Sequence, residues 1–200
     1  MNTHHTILSA QTTAIITLIR EANPDRNFGN YGRRVIKLSE EIGEHAEAYL
    51  NASSTNNNGK KKTWDDVREE AADSLIVAVD VGLTPLSDKV RPDAVETDLQ
   101  RRVMSFSTFN RTYDTYEHQT IRLISEGGRV ATVFAEDSLG WERYEYRAVA
   151  CALDLAMTPL PDQLHLSQEE LYNQLTEMLV TKLTKWRNNR QSGNAPTDAE

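Results

Sequence analysis

Two stretches decide the fold: Glu40-Glu41-Ile42-Gly43-Glu44, with Glu47 following, and Glu70-Ala71-Ala72-Asp73-Ser74-Leu75-Ile76. In both, acids recur three positions apart with apolar residues between them. On a helix that interval stacks side chains on one face. Glu41 and Glu44 therefore share a face of one helix, and Glu70 and Asp73 share a face of the next. Like charges so placed destabilise an isolated helix. Ile42, Ala46, Ala71, Ala72, Leu75 and Ile76 surround the acids, so the acidic rows border a helix–helix contact, where something must compensate the charge.

Helical signals continue in both directions. Ile15, Ile16, Leu18 and Ile19 mark a helix over 9–22 that stops at Asn23-Pro24, since proline ends a helix. The first acidic helix spans about 33–50, and an Asn/Ser-rich loop follows before Gly59 and Lys60-Lys61-Lys62. Thr63 and Asp66 form a capping box for the second, which runs to Gly82 and closes at Thr84-Pro85. Further helices are expected over 93–109, 116–134 and 141–156. The last opens at Ser167-Gln168-Glu169-Glu170, another capping box, and runs to about Arg190. No stretch alternates convincingly with period two. The expectation is an all-α chain.

A repeat emerges when the two halves are laid together. At an offset of 85, Lys37-Leu38-Ser39-Glu40-Glu41-Ile42-Gly43 aligns with Arg122-Leu123-Ile124-Ser125-Glu126-Gly127-Gly128, Tyr31 with Tyr116, and Phe28 with Tyr113. At an offset of 74, Asp80-Val81-Gly82-Leu83-Thr84-Pro85-Leu86 aligns with Asp154-Leu155-Ala156-Met157-Thr158-Pro159-Leu160. A shorter inter-helix loop in the second copy absorbs the difference. The organisation expected is a repeat over 1–92 with an intact acidic motif, a degenerate repeat over 93–190, and a flexible tail over 191–200. The alternative is chance similarity between amphipathic helices.

Composition bounds the function. A net charge of −8 argues against a general nucleic-acid surface, which needs clustered cations. One cysteine, Cys151, excludes an intramolecular disulfide framework and reads as a buried small residue. No apolar run approaches the roughly 20 residues of a membrane span, and the amino terminus lacks a signal-peptide pattern. No membrane partner and a cytoplasmic location are the expectations. The five histidines have no ligand-like spacing, and His45, beside the acids, is expected to face solvent. Facing carboxylates instead call for a hard divalent cation; Mg²⁺ fits best, because it keeps several waters and shares its shell with phosphates. The bland alternative is a solvated acidic face.

The Glu-Glu-x-x-Glu run followed by Glu-x-x-Asp on the next helix resembles the motif pair of the MazG-like all-α nucleotide pyrophosphohydrolases. That superfamily includes dimeric dUTPases, dCTP pyrophosphatases and phosphoribosyl-ATP pyrophosphatases. Lys37-Leu38 before the acids, Glu47-Ala48 after them and Asp73-Ser74-Leu75-Ile76 agree with it. The likeness covers about residues 10–90, and the degenerate repeat extends it to about 190. It implies a MazG-like helical bundle built from two tandem repeats. It also implies hydrolysis of a nucleoside triphosphate, canonical or modified, to the monophosphate and pyrophosphate, in nucleotide-pool control or housecleaning.

By that resemblance Glu41, Glu44, Glu70 and Asp73 hold Mg²⁺, with Mn²⁺ as a substitute. Glu40 is a further ligand or orients the attacking water, so Glu40 and Glu41 are the catalytic candidates. Lys37, with Arg33 and Arg34, and the cluster Lys60-Lys61-Lys62 are candidates for the phosphates, against ion pairs along the helix or solubility. Trp64 and Phe28 are candidates to stack on a base, against a core role. Asp80, kept in the second copy as Asp154, reads as structural. In the second copy the five acids become Ser125, Glu126, Arg129, Tyr144 and Arg147, one negative charge against two positive. That half is expected to be structural, with an internal pair to Glu126 favoured over a phosphate contact for its arginines. A homodimer or higher homo-oligomer is compatible with the reading. The alternatives are a dUTP- or dCTP-specific enzyme, or a non-catalytic nucleotide-sensing or scaffold protein.

Overall fold

A computed structural model describes residues 3–23, 31–54, 61–84, 92–109, 115–136 and 144–191. Among them the chain forms helices α1 (Thr3–Ala22), α2 (Tyr31–Ser53), α3 (Trp64–Leu83), α4 (Pro92–Phe109), α5 (Tyr116–Ala135), α6 (Glu145–Ala156) and α7 (Gln168–Gln191). A single 3₁₀ turn, Pro161–Gln163, precedes α7, and no strand is present among the described residues. The all-α expectation holds. Helix α1 begins six residues earlier than the apolar pattern suggested. Positions 141–143 of the expected sixth helix lie outside the described residues, as do Phe28, Lys60, Pro85 and the tail 192–200. No helix among the described residues is long and apolar enough to cross a membrane.

Local chemistry sets the ends of α3. Thr63 Oγ1 accepts from Asp66 N at 3.2 Å while Asp66 Oδ2 accepts from Thr63 N at 2.6 Å, which satisfies two amides that a helix start leaves open. At the other end Thr84 is extended and its hydroxyl donates to the carbonyl of Asp80 at 2.8 Å. Thr158 repeats this contact, donating to the carbonyl of Asp154 at 2.7 Å. The start of α7 likewise has Ser167 Oγ accepting from Glu170 N and Glu170 Oε2 accepting from Ser167 N.

Helix α3 is central. Val67, Ala71, Ala72 and every residue from Ser74 to Leu83 are buried, because α2, α1, α4, α6 and α7 all pack on it. The pairs α2–α3 and α5–α6 lie side by side, α2 packs across α5, and α3 packs across α6. One core runs from Ile15 through Leu38, Leu75, Leu123 and Leu155 to Leu183. Each fully buried leucine contributes about 1.5–3 kcal/mol.

Contacts across α2 and α5 pair up under the offset of 85. The rings of Tyr31 and Phe134 lie 5.5 Å apart; shifting each by the offset gives Tyr116 and Tyr49, which stack at 5.4 Å. At the crossing itself a position meets its own counterpart. A Cβ on Gly127 would overlap Ile42 Cδ1, so the missing side chain is what lets the helices approach.

Candidate metal centre

The buried stripe of α2 is Tyr31, Val35, Leu38, Glu41, Ile42, His45 and Ala48. Spacing of three and four residues aims it at α3 and α5, and two of its members are polar. Glu41 is only 7% exposed. Across from it α3 presents Glu70, and carboxylate oxygens of Glu41, Glu44 and Glu70 all lie within 4.8 Å of one another. Such a cluster exists because α2 and α3 pack face to face over Ile42, Ala71 and Leu75, which leaves the neighbouring turns to bring their acids together.

Cationic side chains already crowd these acids. Lys37 Nζ sits 2.8 Å from Glu41 and 3.1 Å from Glu40, and Lys62 sits 3.6 Å from Glu70. Burial pushes the Glu41 carboxyl above its usual range; Lys37 opposes this, and the charges of Asp73 and Glu44 add to it. Glu70 is raised for the same first reason, with Lys62 opposing and Glu44 and Asp73 adding. Burial alone would lower the Lys37 ammonium, yet its bonds to Glu41 and Glu40 push it up. Two raised carboxylates beside a third acid define a place that gains from positive charge.

Asp73 stands next to this group and is held elsewhere. Lys182 of α7 donates to Asp73 Oδ2 at 2.6 Å and lies 3.7 Å from Glu69. No local pattern marks Lys182, because it comes from 109 residues away on a helix outside the acidic motif. Glu40 is half exposed and pairs with Lys37 at 3.1 Å. Arg33 and Lys61 are exposed. Trp64 packs on the core with its ring 6.2 Å from Tyr49, in an aromatic layer with Tyr116. His45 corrects its expectation. It is 1% exposed, because its position falls on the stripe that meets α5, where Nε2 lies 3.3 Å from Thr120 Oγ1. Burial pushes the ring down to about 4, with a hydrogen bond to the Val67 backbone opposing, so it is neutral at pH 7.

No protein-family model, curated protein or solved structure matches this chain.

Three carboxylates so placed could hold a metal ion, and oxygen donors suit a hard cation. The matching positions of the second half suit none. Glu126 lies 3.6 Å from Arg129. The Arg147 guanidinium covers the rings of Tyr144, Phe106 and Tyr146 at 5.4, 5.5 and 5.8 Å and donates to the Tyr146 hydroxyl at 3.1 Å. Asp80 is structural: buried, it accepts from Asn23 at 2.7 Å and pairs with Arg34 at 2.9 Å. Cys151 is fully buried, and burial pushes its thiol up to about 12, so it is inert at neutral pH.

Proposed function

We propose that this protein is a divalent-metal-dependent nucleoside triphosphate pyrophosphohydrolase of the MazG-like type, a tandem pair of helical repeats with one acidic site. The convergence of Glu41, Glu44 and Glu70 from two packed helices carries the reading. The motif resemblance supplies the reaction, and the contacts repeated under the two offsets support the tandem arrangement. Glu41, Glu44 and Glu70 would hold Mg²⁺, with Asp73 joining when Lys182 lets it go. Bound there, the metal would neutralise phosphate oxygens and lower the pKa of a water.

The chain's own residues have separate tasks. Glu41, desolvated and raised, would be a proton acceptor within the cluster. Lys37 holds Glu40 and Glu41 in place and supplies positive charge at the open side. Lys62 and Lys182 do the same at the far edge of α3. In nucleotide-pool control the substrate would be a canonical or modified deoxynucleoside triphosphate.

Pyrophosphate release from a panel of NTPs and dNTPs with Mg²⁺, Mn²⁺ or EDTA tests the reading. Metal-dependent release is expected, with a loss of at least 10²-fold in Glu41→Gln, in line with removing a group that acts on the proton. In the same samples Mg²⁺ at ten times its Kd should raise the unaltered protein's stability by about 1.4 kcal/mol. Absence of release with every nucleotide, together with no metal effect on melting, would sink the proposal. A metal effect without release would leave a metal-binding nucleotide sensor.

A further inference from the structure

Among the acids of the motif, Asp73 is held by a distant element. Glu41 pairs with Lys37 one turn away on its own helix, and Glu70 lies 3.6 Å from Lys62, just ahead of the helix that carries it. Asp73 instead accepts from Lys182 Nζ of α7 at 2.6 Å. Helix α7 packs on α1 and α3, and Leu179 and Leu183, which flank Lys182 along it, are buried in the core. That packing fixes where the lysine stem begins. Its end is less constrained, since the Lys182 side chain is 21% exposed and that of Asp73 33%, so water reaches both partners. One ammonium on a flexible stem, meeting a partly exposed carboxylate, makes a weak and screened pair. An ion of twice the charge can take its place. The pair is also felt at the neighbouring acid. Burial comes first in raising the Glu70 carboxyl, and of the charges around it Asp73 adds to the rise while Lys182 opposes it. Lys182 lies 3.7 Å from the exposed Glu69 as well, so the ammonium keeps an acceptor when Asp73 is taken.

We propose that Lys182 is a built-in competitor of the metal: Asp73 pairs either with the Lys182 ammonium or with the divalent cation, and the ammonium moves to Glu69 as the cation is taken up. This role rests on the metal reading of Glu41, Glu44 and Glu70 and gives that site a regulator. Without the cation, Lys182 relieves the repulsion between Asp73 and Glu70, like charges one turn apart on α3. With it, Lys182 holds the metal affinity below what the carboxylates alone would give. The ammonium is delivered by α7, so metal affinity is tied to the docking of α7 on α3. Lys182 is thus a positioning residue, acting on the metal through Asp73.

The test measures Mn²⁺ binding to the full chain, without nucleotide, from the paramagnetic resonance of the free ion. Lys182→Met keeps the apolar stem and removes the charge, and it should tighten Mn²⁺ about tenfold. Lys182→Arg keeps the charge and should bind no tighter than the unaltered chain. Lys185 is exposed on the next turn of α7 and has no ion pair with Asp73 among the described residues. Lys185→Met should therefore leave the affinity unchanged, which separates pairing with Asp73 from the general field of the helix. In an Asp73→Asn background Lys182→Met should lose its effect. Unchanged Mn²⁺ affinity in Lys182→Met, an equal gain in Lys185→Met, or a gain undiminished in Asp73→Asn would each overturn the role of Lys182 and leave the metal site standing. Mn²⁺ binding absent from both the unaltered chain and Lys182→Met, or undiminished in Glu41→Gln, would sink the metal reading and this role with it. Should Lys182→Met lose the helical circular dichroism, Lys182→Gln decides in its place.

Discussion

Glu41 and His45 occupy the same buried stripe of α2, one turn apart, and illustrate two fates of a polar group removed from water. Glu41 is paired with Lys37 at 2.8 Å, whereas His45 is kept neutral. Burial pushes the His45 ring down to about 4 from 6.5. Between those values the unfolded chain takes up a proton that the folded chain refuses. Stability is therefore fully present above pH 6.5 and is lost as pH falls toward 4, by about 3 kcal/mol for the whole shift. Denaturant melts across that range should show the loss, and His45→Gln should flatten the curve there. An unchanged slope would mean that the ring is solvated. The acids of the site were legible in the sequence because their spacing and apolar neighbours are local facts. The burial of His45 was not, since it depends on which arc of α2 meets α5. The same holds for Lys182 on Asp73, a contact between elements far apart in the chain.

At the scale of elements, the approach of α2 and α5 rests on glycine placed for space. Gly127 faces Ile42, while a Cβ on its neighbour Gly128 would meet nothing within 4 Å. Two adjacent alanine substitutions should thus have opposite signs. Gly127→Ala forces Ile42 off its position and should cost about 1–3 kcal/mol. Gly128→Ala only removes backbone freedom in a helix interior and should add about 0.5–1 kcal/mol. Thermal melts of the two variants check this, and Ile42→Val should recover part of the first loss. The helices were readable from their caps: Thr63 with Asp66 and Ser167 with Glu170 form the bonds their types predict. The partner of each helix was less so, because a stripe declares that a face is buried without declaring against what.

For the whole molecule, the decisive fact is that α3 packs on α6 and α2 on α5, across the boundary drawn near residue 92. Leu38, Leu75, Leu123 and Leu155 belong to one core. Cutting there would expose leucines that now contribute about 1.5–3 kcal/mol each. Residues 1–92 and 93–200 expressed separately should each lack a cooperative melt by circular dichroism, whereas the intact chain should melt in a single transition. A cooperative transition in either half alone would refute this dependence. Helix α7 covers α1 and α3 with Leu175, Leu179 and Leu183.

The meeting of Ile42 with Gly127 has a further consequence. A position that touches its own counterpart can be identical on both sides only if one residue suits both roles. Here two copies of the first half would bring isoleucine against isoleucine, and two copies of the second would leave glycine opposite glycine, one a collision and the other a hole. At this crossing the helices approach as closely as they do because isoleucine meets glycine and not a second isoleucine.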